Sequence, residues 1–489
     1  MQKPEKDARK RPKSPPNLNR SSKTKASQKD RKKKKKSLSL NTVLLKVNEL
    51  GAADDLLLMK VFDNAKIESI LDEILGESSV KQRDRIYTPQ ITLSLFVQQV
   101  LSKDAGCKEM VTLLNKQRKA EELSEVSTNT TSYCQARLRV PLDLIRTLMQ
   151  ETTKLVTSKL PKNWRWKNHR VLLVDGLVID APDTPENQFK YPQPTSQKPG
   201  LGFPQIRNCA LICMSTGVVM DVKYGGVLGK KTGEQSLFRQ MFPSILPGDV
   251  VVGDSLYDSY RDMAMLQQKG AFMVCGINGT RQSPFTGRCK MIEDTTKTLK
   301  RPDFDRSRFT QDEWDALPET LDVRIIRYQV RGRKDEITVV TTLLDRKKYP
   351  AADIAGLYKQ RWEGELDIRS IKSVMGMSSL SCHTPEMLER EMLTYYLAYN
   401  LVRVAMCDAA RIAKLKPRDL SFKHSKDSWL LLGQDITNVN DYAWLLWSIA
   451  DSPLNKRPGR QEPRKIKRRN GKYEFMKMPR NQEKAALSP

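Results

Sequence analysis

Histidine is nearly absent from this chain, with three in 489 residues. That scarcity argues against Ser–His–Asp triads, histidine general bases and zinc hydrolases, all of which depend on imidazole. Eight cysteines stand at 107, 134, 209, 213, 275, 289, 382 and 407, but no two form a C-x-x-C pair and none has a histidine spaced to complete a zinc finger. They read as reduced, mostly buried thiols in a reducing compartment. Long apolar runs are missing too: no stretch approaches the roughly 18 apolar residues of a membrane span. The start, MQKPEKDARKRPK, is positive but lacks the apolar core of a secretory signal. A soluble, cytoplasmic protein with no membrane partner is expected.

Acid is also in deficit. Asp plus Glu number 57 against 85 Lys plus Arg, a formal charge of +28, which disfavours a binder of cationic partners. The excess belongs to the ends. Residues 1–36 hold sixteen Lys or Arg against Glu5, Asp7 and Asp30, a net of +13, and residues 452–489 hold twelve against Glu462, Glu474 and Glu483, a net of +9. The body between them is left with about +6, ordinary for a large domain set. The first tail, rich in Ser, Pro and Lys, has too little apolar surface to fold alone and is expected to be disordered. Both tails suit electrostatic attachment to a polyanion, and a solvated or targeting role competes equally for the first.

At about 150 residues per domain the length suits roughly three domains. From about Leu40 to Leu160 the pattern is helical, with ADDLLLMKVFDNAKIESILDEIL and PLDLIRTLMQETTKLVTSKL repeating apolar residues at three and four. The stretch Thr131–Arg139 has the charge for an exposed face. After Arg170 short β-branched runs bounded by Gly, Pro or Asp predict strands: HRVLLVDGLVIDAP, IRNCALICMS, GVVMDVKYGG and DVVVGD. TGEQSLFRQMF, with Thr232 and Gln235 spaced as a capping box, and YDSYRDMAMLQQKG, ending on Gly270, predict helices, so this part is an α/β layer structure. Residues from Asn278 to about Arg333 read as an irregular insertion, with strands LDVRIIRYQV and DEITVVTTLL toward its end. After Pro350 the chain is helical around Tyr358, Leu393 and Trp444.

Two motifs fail on inspection. GGVLGKKTG imitates a phosphate loop, but Tyr224 stands where the first glycine belongs and Lys231 where Ser or Thr would ligate magnesium, so a turn into a helix is expected. Cys382 and His383 have no second pair at metal-ligand spacing, which favours a structural role.

Three carboxylates are harder to dismiss. Asp175 follows the run Val171–Val174, and Asp254 follows Val250–Gly253, so both are placed at the ends of apolar strands, where a carboxylate needs a partner, solvent or a cation. The segment YKQRWEGELDIRSIK supplies the third. Taken as one helix at about 100° per residue, Tyr358, Arg361, Glu365 and Lys372 fall within about 60° of each other, on the half that turns toward the core. Lys359, Gln360, Glu363, Asp367 and Ser370 take the opposite surface. An internal Arg361–Glu365 ion pair closing a helix interface is the competing structural reading. Three convergent carboxylates are what two-metal phosphoryl transfer requires, with hard oxygen ligands and no histidine, and Arg361 and Lys372 can hold phosphates.

The spacing Y-x2-R-x3-E-x6-K from Tyr358 to Lys372 resembles the signature of DDE transposases of the insertion-sequence-four family. Further stretches are similar to a subgroup of it: VDGLVIDAPDTPENQFKYPQPTSQKPGLGFP, GKKTGEQSLFR, PGDVVVGDSLYDSY, VVTTLLDRKKYP, LSCHTPEM and RPGRQEPRKIKRR. The likeness runs from about residue 40 to 480. It implies an α/β fold with a ribonuclease-H-like catalytic core and a β-rich insertion, beside an all-helical N-terminal domain and disordered basic tails. The implied domains are a basic tail at 1–40, a helical DNA-binding domain at 41–165, the core at 166–277 and 338–410 around an insertion at 278–337, a helical segment at 411–451 and a second tail at 452–489. By the resemblance Asp175, Asp254 and Glu365 are the catalytic, metal-binding acids, and Tyr358, Arg361 and Lys372 contact transposon-end DNA. Mg2+ is the implied cofactor, with Mn2+ able to substitute. Double-stranded DNA is the partner, a homodimer the paired-end assembly, and the bacterial nucleoid the location. Many relatives carry a basic residue after the second aspartate, where this chain has Ser255. Some use a tryptophan of the insertion to hold a flipped base, for which Trp314 is a candidate alongside a plain core role. A nuclease without strand transfer and an inactive DNA-binding derivative remain the alternatives.

Overall fold

Helices fill the N-terminal part of the chain for the reason their spacing gives. The computed structural model describes residues 40–52, 85–102, 106–277, 289–305, 310–330, 336–432 and 439–454, with a few isolated positions besides. There α1 (Leu40–Ala52), α2 (Pro89–Leu101), α3 (Cys107–Ala120), α4 (Thr131–Arg139) and α5 (Leu142–Ser158) precede the first strand. In α5, Leu144, Ile145, Leu148, Met149, Thr152 and Val156 are buried at intervals of three and four, behind an acidic first turn at Asp143. The α4 stretch is amphipathic rather than simply exposed: Tyr133 and Ala136 are buried, while Gln135 and Arg139 face out. Both basic tails, apart from a few positions, and most of the segment from Ala52 to Leu75 lie outside the described residues.

The next elements are β1 (Val171–Asp180), α6 (Pro185–Lys190), β2 (Gln205–Cys213), β3 (Val219–Gly226), α7 (Glu234–Gln240), β4 (Val250–Gly253), α8 (Tyr260–Gln268) and β5 (Phe272–Gly276). Strands β1, β2 and β3 form an antiparallel meander, while β4 runs parallel to β1 and β5 parallel to β4. Parallel strands covered on both faces are continuously apolar, and all four residues of β4 are buried. Gly270, at φ 76°, closes α8 in the left-handed conformation expected of a helix C-terminus. The capping box expected at Thr232 is absent. Gly233 is the N-cap of α7, and the Thr232 hydroxyl donates instead to the carbonyl of Gly229 at 3.1 Å. GGVLGKKTG is otherwise the expected turn into a helix.

The insertion is more regular than its sequence suggests. β6 (Cys289–Lys300), the short α9 (Gln311–Asp315), β7 (Thr320–Val330) and β8 (Glu336–Thr341) follow, and their strands pair antiparallel onto the free side of β5. One eight-stranded sheet results, in the order β3-β2-β1-β4-β5-β8-β7-β6. Threonines and charges mask β6 in the sequence because an edge strand has one partner and much solvent.

Helices α10 (Ala351–Lys359), α11 (Trp362–Arg369), α12 (Pro385–Ala413), α13 (Phe422–Leu432) and α14 (Val439–Ala450) complete the chain. α12 is buried almost all round, from Met387 to Ala410, as a core helix must be. Its Asn400 accepts from the Val219 N–H and donates to the Val219 carbonyl, both at 2.8 Å, which covers the other edge of the sheet. Glu391 accepts from the backbone of Ser381 and Cys382, so the Cys382–His383 turn has the structural role expected of it. Among the described residues no helix is long and apolar enough to cross a membrane.

Candidate active site

Asp175 does not end its strand, as the run before it suggests. β1 continues to Asp180, pairing with β2 along its whole length, but β4 accompanies it only through Leu173↔Val252. Continuing that register sets Asp175 beside Asp254, the first residue past β4, where neighbouring strands lie about 4.8 Å apart. The two acids therefore come out together where the parallel pairing stops. Asp254 caps a 3-10 turn over Ser255–Tyr257, accepting from the Leu256 N–H at 2.8 Å. Asp175 accepts from the Gly176 N–H at 2.9 Å. Burial pushes the Asp175 carboxyl up to about 7; the Gly176 bond and the charge of Arg361 oppose that shift, while Glu234 and Asp254 add to it.

The third acid comes from the helical side, on a helix that is not continuous. α10 stops at Lys359, Gln360 and Arg361 form a turn, and α11 begins at Trp362, so the single stripe expected from Tyr358 to Lys372 is carried on two helices and a π-helical turn over Ser370–Val374. They do not share one face: α11 and Lys372 lie against β1, while Tyr358 on α10 is turned to β5. Gly364 lies against Leu173, within 3.5 Å of where its own Cβ would stand, and this close approach brings Glu365 to the strand of Asp175. Lys372 donates to the carbonyl of Val178 on β1 at 3.0 Å. Tyr358 is buried, with its hydroxyl where a side chain on Gly276 would be; burial raises it to about 12 against the pull of Arg361.

Arg361 is the hub of this group. It donates to Glu365 at 2.9 Å, and its charged form is held by Tyr358, Glu365 and Asp175 against the cost of burial. The structural reading of the stripe is thus physically present: Arg361 closes on Glu365 across one helical turn. Among the described residues no group of three or more His, Cys, Asp or Glu side chains lies close enough to hold a metal ion, so Asp175, Asp254 and Glu365 form no ligand cage; Arg361, bonded to Glu365, reaches Asp175 through its charge. The donors that are present are all carboxylate oxygens, which fit a hard divalent cation rather than zinc.

Two acids escaped the sequence reading. Asp367, assigned to the solvent side of the stripe, is fully buried and accepts from Tyr399, Arg403 and Arg418. The signal was available only as arginines 36 and 51 residues downstream. Glu234, first residue of α7, accepts from Tyr257 Oη at 2.6 Å. Burial raises its pKa, the Tyr257 bond and Arg207 lower it, and Asp254 raises it further. The glycines next to both aspartates are the only local hint of it.

Trp314 is half-buried in the insertion. Its ring lies under the Arg301 guanidinium at 3.7 Å and edge-on to Phe304, and its Nε1 donates to the Pro302 carbonyl at 3.0 Å.

A cryo-EM structure of the piggyBac transposase synaptic complex with hairpin DNA is similar at a TM-score of 0.43 and 12% identity, over 78% of this chain and 79% of that one. The chain is 26% identical over 357 residues, 70% of its own length and 77% of the relative's, to the transposase InsG for insertion sequence element IS4 of Escherichia coli (strain K12). Residues 166–401, which include Asp175, Asp254, Tyr358, Arg361, Glu365 and Lys372, match the model of the transposase DDE domain family. The matched domain and this relative support a DDE transposase of the insertion-sequence-four type.

Proposed function

We propose that this chain is a DNA transposase that binds the terminal inverted repeats of an insertion sequence and moves it by divalent-metal-dependent cleavage and strand transfer. What supports the reading is the register: the β1–β4 pairing, continued past Leu173↔Val252, would put Asp175 beside Asp254, and α11, which carries Glu365, packs on Leu173 of β1 through Gly364. The order β3-β2-β1-β4-β5, with an antiparallel meander and two parallel strands, supports a ribonuclease-H-like core, and β6–β8 act as its β-rich insertion.

Asp175, Asp254 and Glu365 would hold Mg2+, or Mn2+ in its place, which when bound activates the attacking oxygen and stabilises the leaving one. Arg361 holds Oε1 of Glu365, and giving up that bond would turn both carboxylate oxygens over to the ion. That exchange has a use, because a guanidinium released from its carboxylate is free for a DNA phosphate. Lys372, tied to the backbone of β1, adds a second positive charge beside the scissile strand. Water and then a 3′-hydroxyl of the DNA are the nucleophiles, and two protomers act across the paired ends. Helices α1–α5 and the basic tails attach the chain to duplex DNA in the cell.

The deciding experiment is Glu365→Gln on duplexes carrying the element's ends. Magnesium-dependent cleavage is expected to vanish while end binding survives; retained cleavage would contradict the assignment. Pre-cleaved ends then separate a transposase, which joins them to target DNA, from a nuclease, which does not.

A further inference from the structure

Glu234 stands in the stretch that imitates a phosphate loop, and the reaction described above gives it no task. Its carboxylate is nonetheless placed with care. A Cβ on Gly176 would meet Glu234 Oε2, Cδ and Oε1 at 2.2, 2.3 and 2.7 Å, so the carboxylate fills the side-chain space of the residue that follows Asp175. The fully buried Tyr257 donates to Oε1 at 2.6 Å. Tyr257 itself lies where a side chain on Gly253 would be, 2.6 Å from that position, and Gly253 precedes Asp254. Gln235 donates to the carbonyl of Leu256, which ties the start of α7 to the turn capped by Asp254. Each aspartate is therefore flanked by a glycine whose missing side chain admits one member of the Glu234–Tyr257 pair.

An ordinary structural carboxylate in such a place would be closed by an arginine. Arg207 acts on Glu234 through its charge, but its guanidinium donates to the carbonyls of Val227 and Thr232 at 3.4 and 3.3 Å. Three carboxylates drawn together repel one another, and a shared cation relieves this. A magnesium ion keeps several of its waters, and groups that accept hydrogen bonds from them orient the ion without touching it.

We propose that Glu234, held by Tyr257, is a positioning residue of the metal site that accepts hydrogen bonds from the hydration shell of a divalent cation shared by Asp175 and Asp254. This rests on the metal-site reading above and adds to it a second layer on the α7 side of the sheet.

The test is binding of Mn2+ by the full chain without DNA, followed by the paramagnetic signal of the free ion, alongside metal-free thermal melting. Glu234→Gln is expected to weaken Mn2+ binding about tenfold or more, and Tyr257→Phe by a smaller factor, with metal-free melting preserved. Asp175→Asn and Asp254→Asn should each remove at least one bound ion. Wild-type affinity in both Glu234→Gln and Tyr257→Phe, with loss in the aspartate variants, overturns the role of Glu234 and leaves the site intact. Wild-type affinity in the aspartate variants, or no binding by the unmodified chain, overturns the site reading itself. Should Glu234→Gln fail to fold, Gly176→Ala displaces the same carboxylate without removing it, and weakened binding is again the expected result.

Discussion

Two carboxylates on α11 lie two residues apart and live in opposite circumstances. Asp367 is fully buried and saturated: it accepts from Tyr399 Oη at 2.9 Å, Arg403 Nη2 at 2.5 Å, and both Arg418 terminal nitrogens at 2.6 and 2.8 Å. Glu365 is one-third exposed and has Arg361 at 2.9 Å. One group is locked by more partners than it can exchange, and the other has a partner that a phosphate could take away. Asp175 extends the contrast, since burial lifts it to about 7 and the nearby Arg361 is committed to Glu365. A satisfied buried charge fixes architecture, whereas an unsatisfied one stores an interaction for something that arrives later.

The largest expected break in that contrast is chemical. Asp254→Asn should lower cleavage of end-bearing duplexes by on the order of 10³-fold or more, because several kcal/mol of transition-state stabilisation depend on the ligand charge. Metal-free melting of the same variant should stay near that of the unmodified chain. Asp367→Ala should do the reverse at its primary readout. Removing one member of a buried ion cluster leaves Arg403 without its counter-charge and Arg418 with Glu363 at 3.7 Å, and costs about 3–5 kcal/mol of stability, read by chemical denaturation. An Asp367→Ala chain as stable as the original would mean that Arg403 and Arg418 find other partners, and that α11 is held by packing alone.

How far each acid could be read beforehand follows from what surrounds it. Asp175 and Asp254 were legible because a carboxylate after four apolar residues conflicts with its neighbours at once. Glu365 was singled out through spacing that assumed one helix, whereas the chain breaks at Gln360: α11 packs on Leu173 of β1 through Gly364, and α10 turns Tyr358 to Gly276 of β5. Asp367 was misread because helical periodicity alone assigns a face and cannot see arginines arriving from Arg403 and Arg418. Glu234 was passed over for a related reason: its context is a register and two glycine side-chain spaces, which exist only once β1, β4 and α7 are assembled. β6 was hidden by its edge position. What the pattern conveys is local conflict and local period; what it omits is the identity of distant partners.

A smaller effect sharpens the comparison through pH. In the metal-free chain Asp175 holds its proton to about 7 against an ordinary value of 3.8, so the folded state binds a proton that the unfolded state has already released. Stability should therefore fall as pH rises from about 4 to about 7. Asp175→Asn removes this group, and is expected to flatten the fall and to gain about 1 kcal/mol at pH 8, with little change at pH 4. Equal melting of the two chains at pH 8 would show that the Asp175 carboxylate is stabilised when ionised, contrary to the contrast with Asp367.

The smallest effect concerns an aromatic group judged by the same criterion. Trp314 resembles, by its place in the insertion, a residue that could receive a flipped base, yet its face is covered by Arg301 and its N–H is satisfied by Pro302. Arg301 is anchored in turn, donating to the carbonyls of Trp314 and Leu317 at 3.2 and 2.8 Å. Saturation of this kind marks Asp367 as architectural, and it should mark Trp314 likewise. Arg301→Ala is then expected to cost about 0.5–1 kcal/mol of stability, the worth of an exposed cation–π contact, and to leave processing of the DNA ends unchanged. Faster or altered end processing on uncovering the ring would break the criterion, because a satisfied group would have proved to be a gated one.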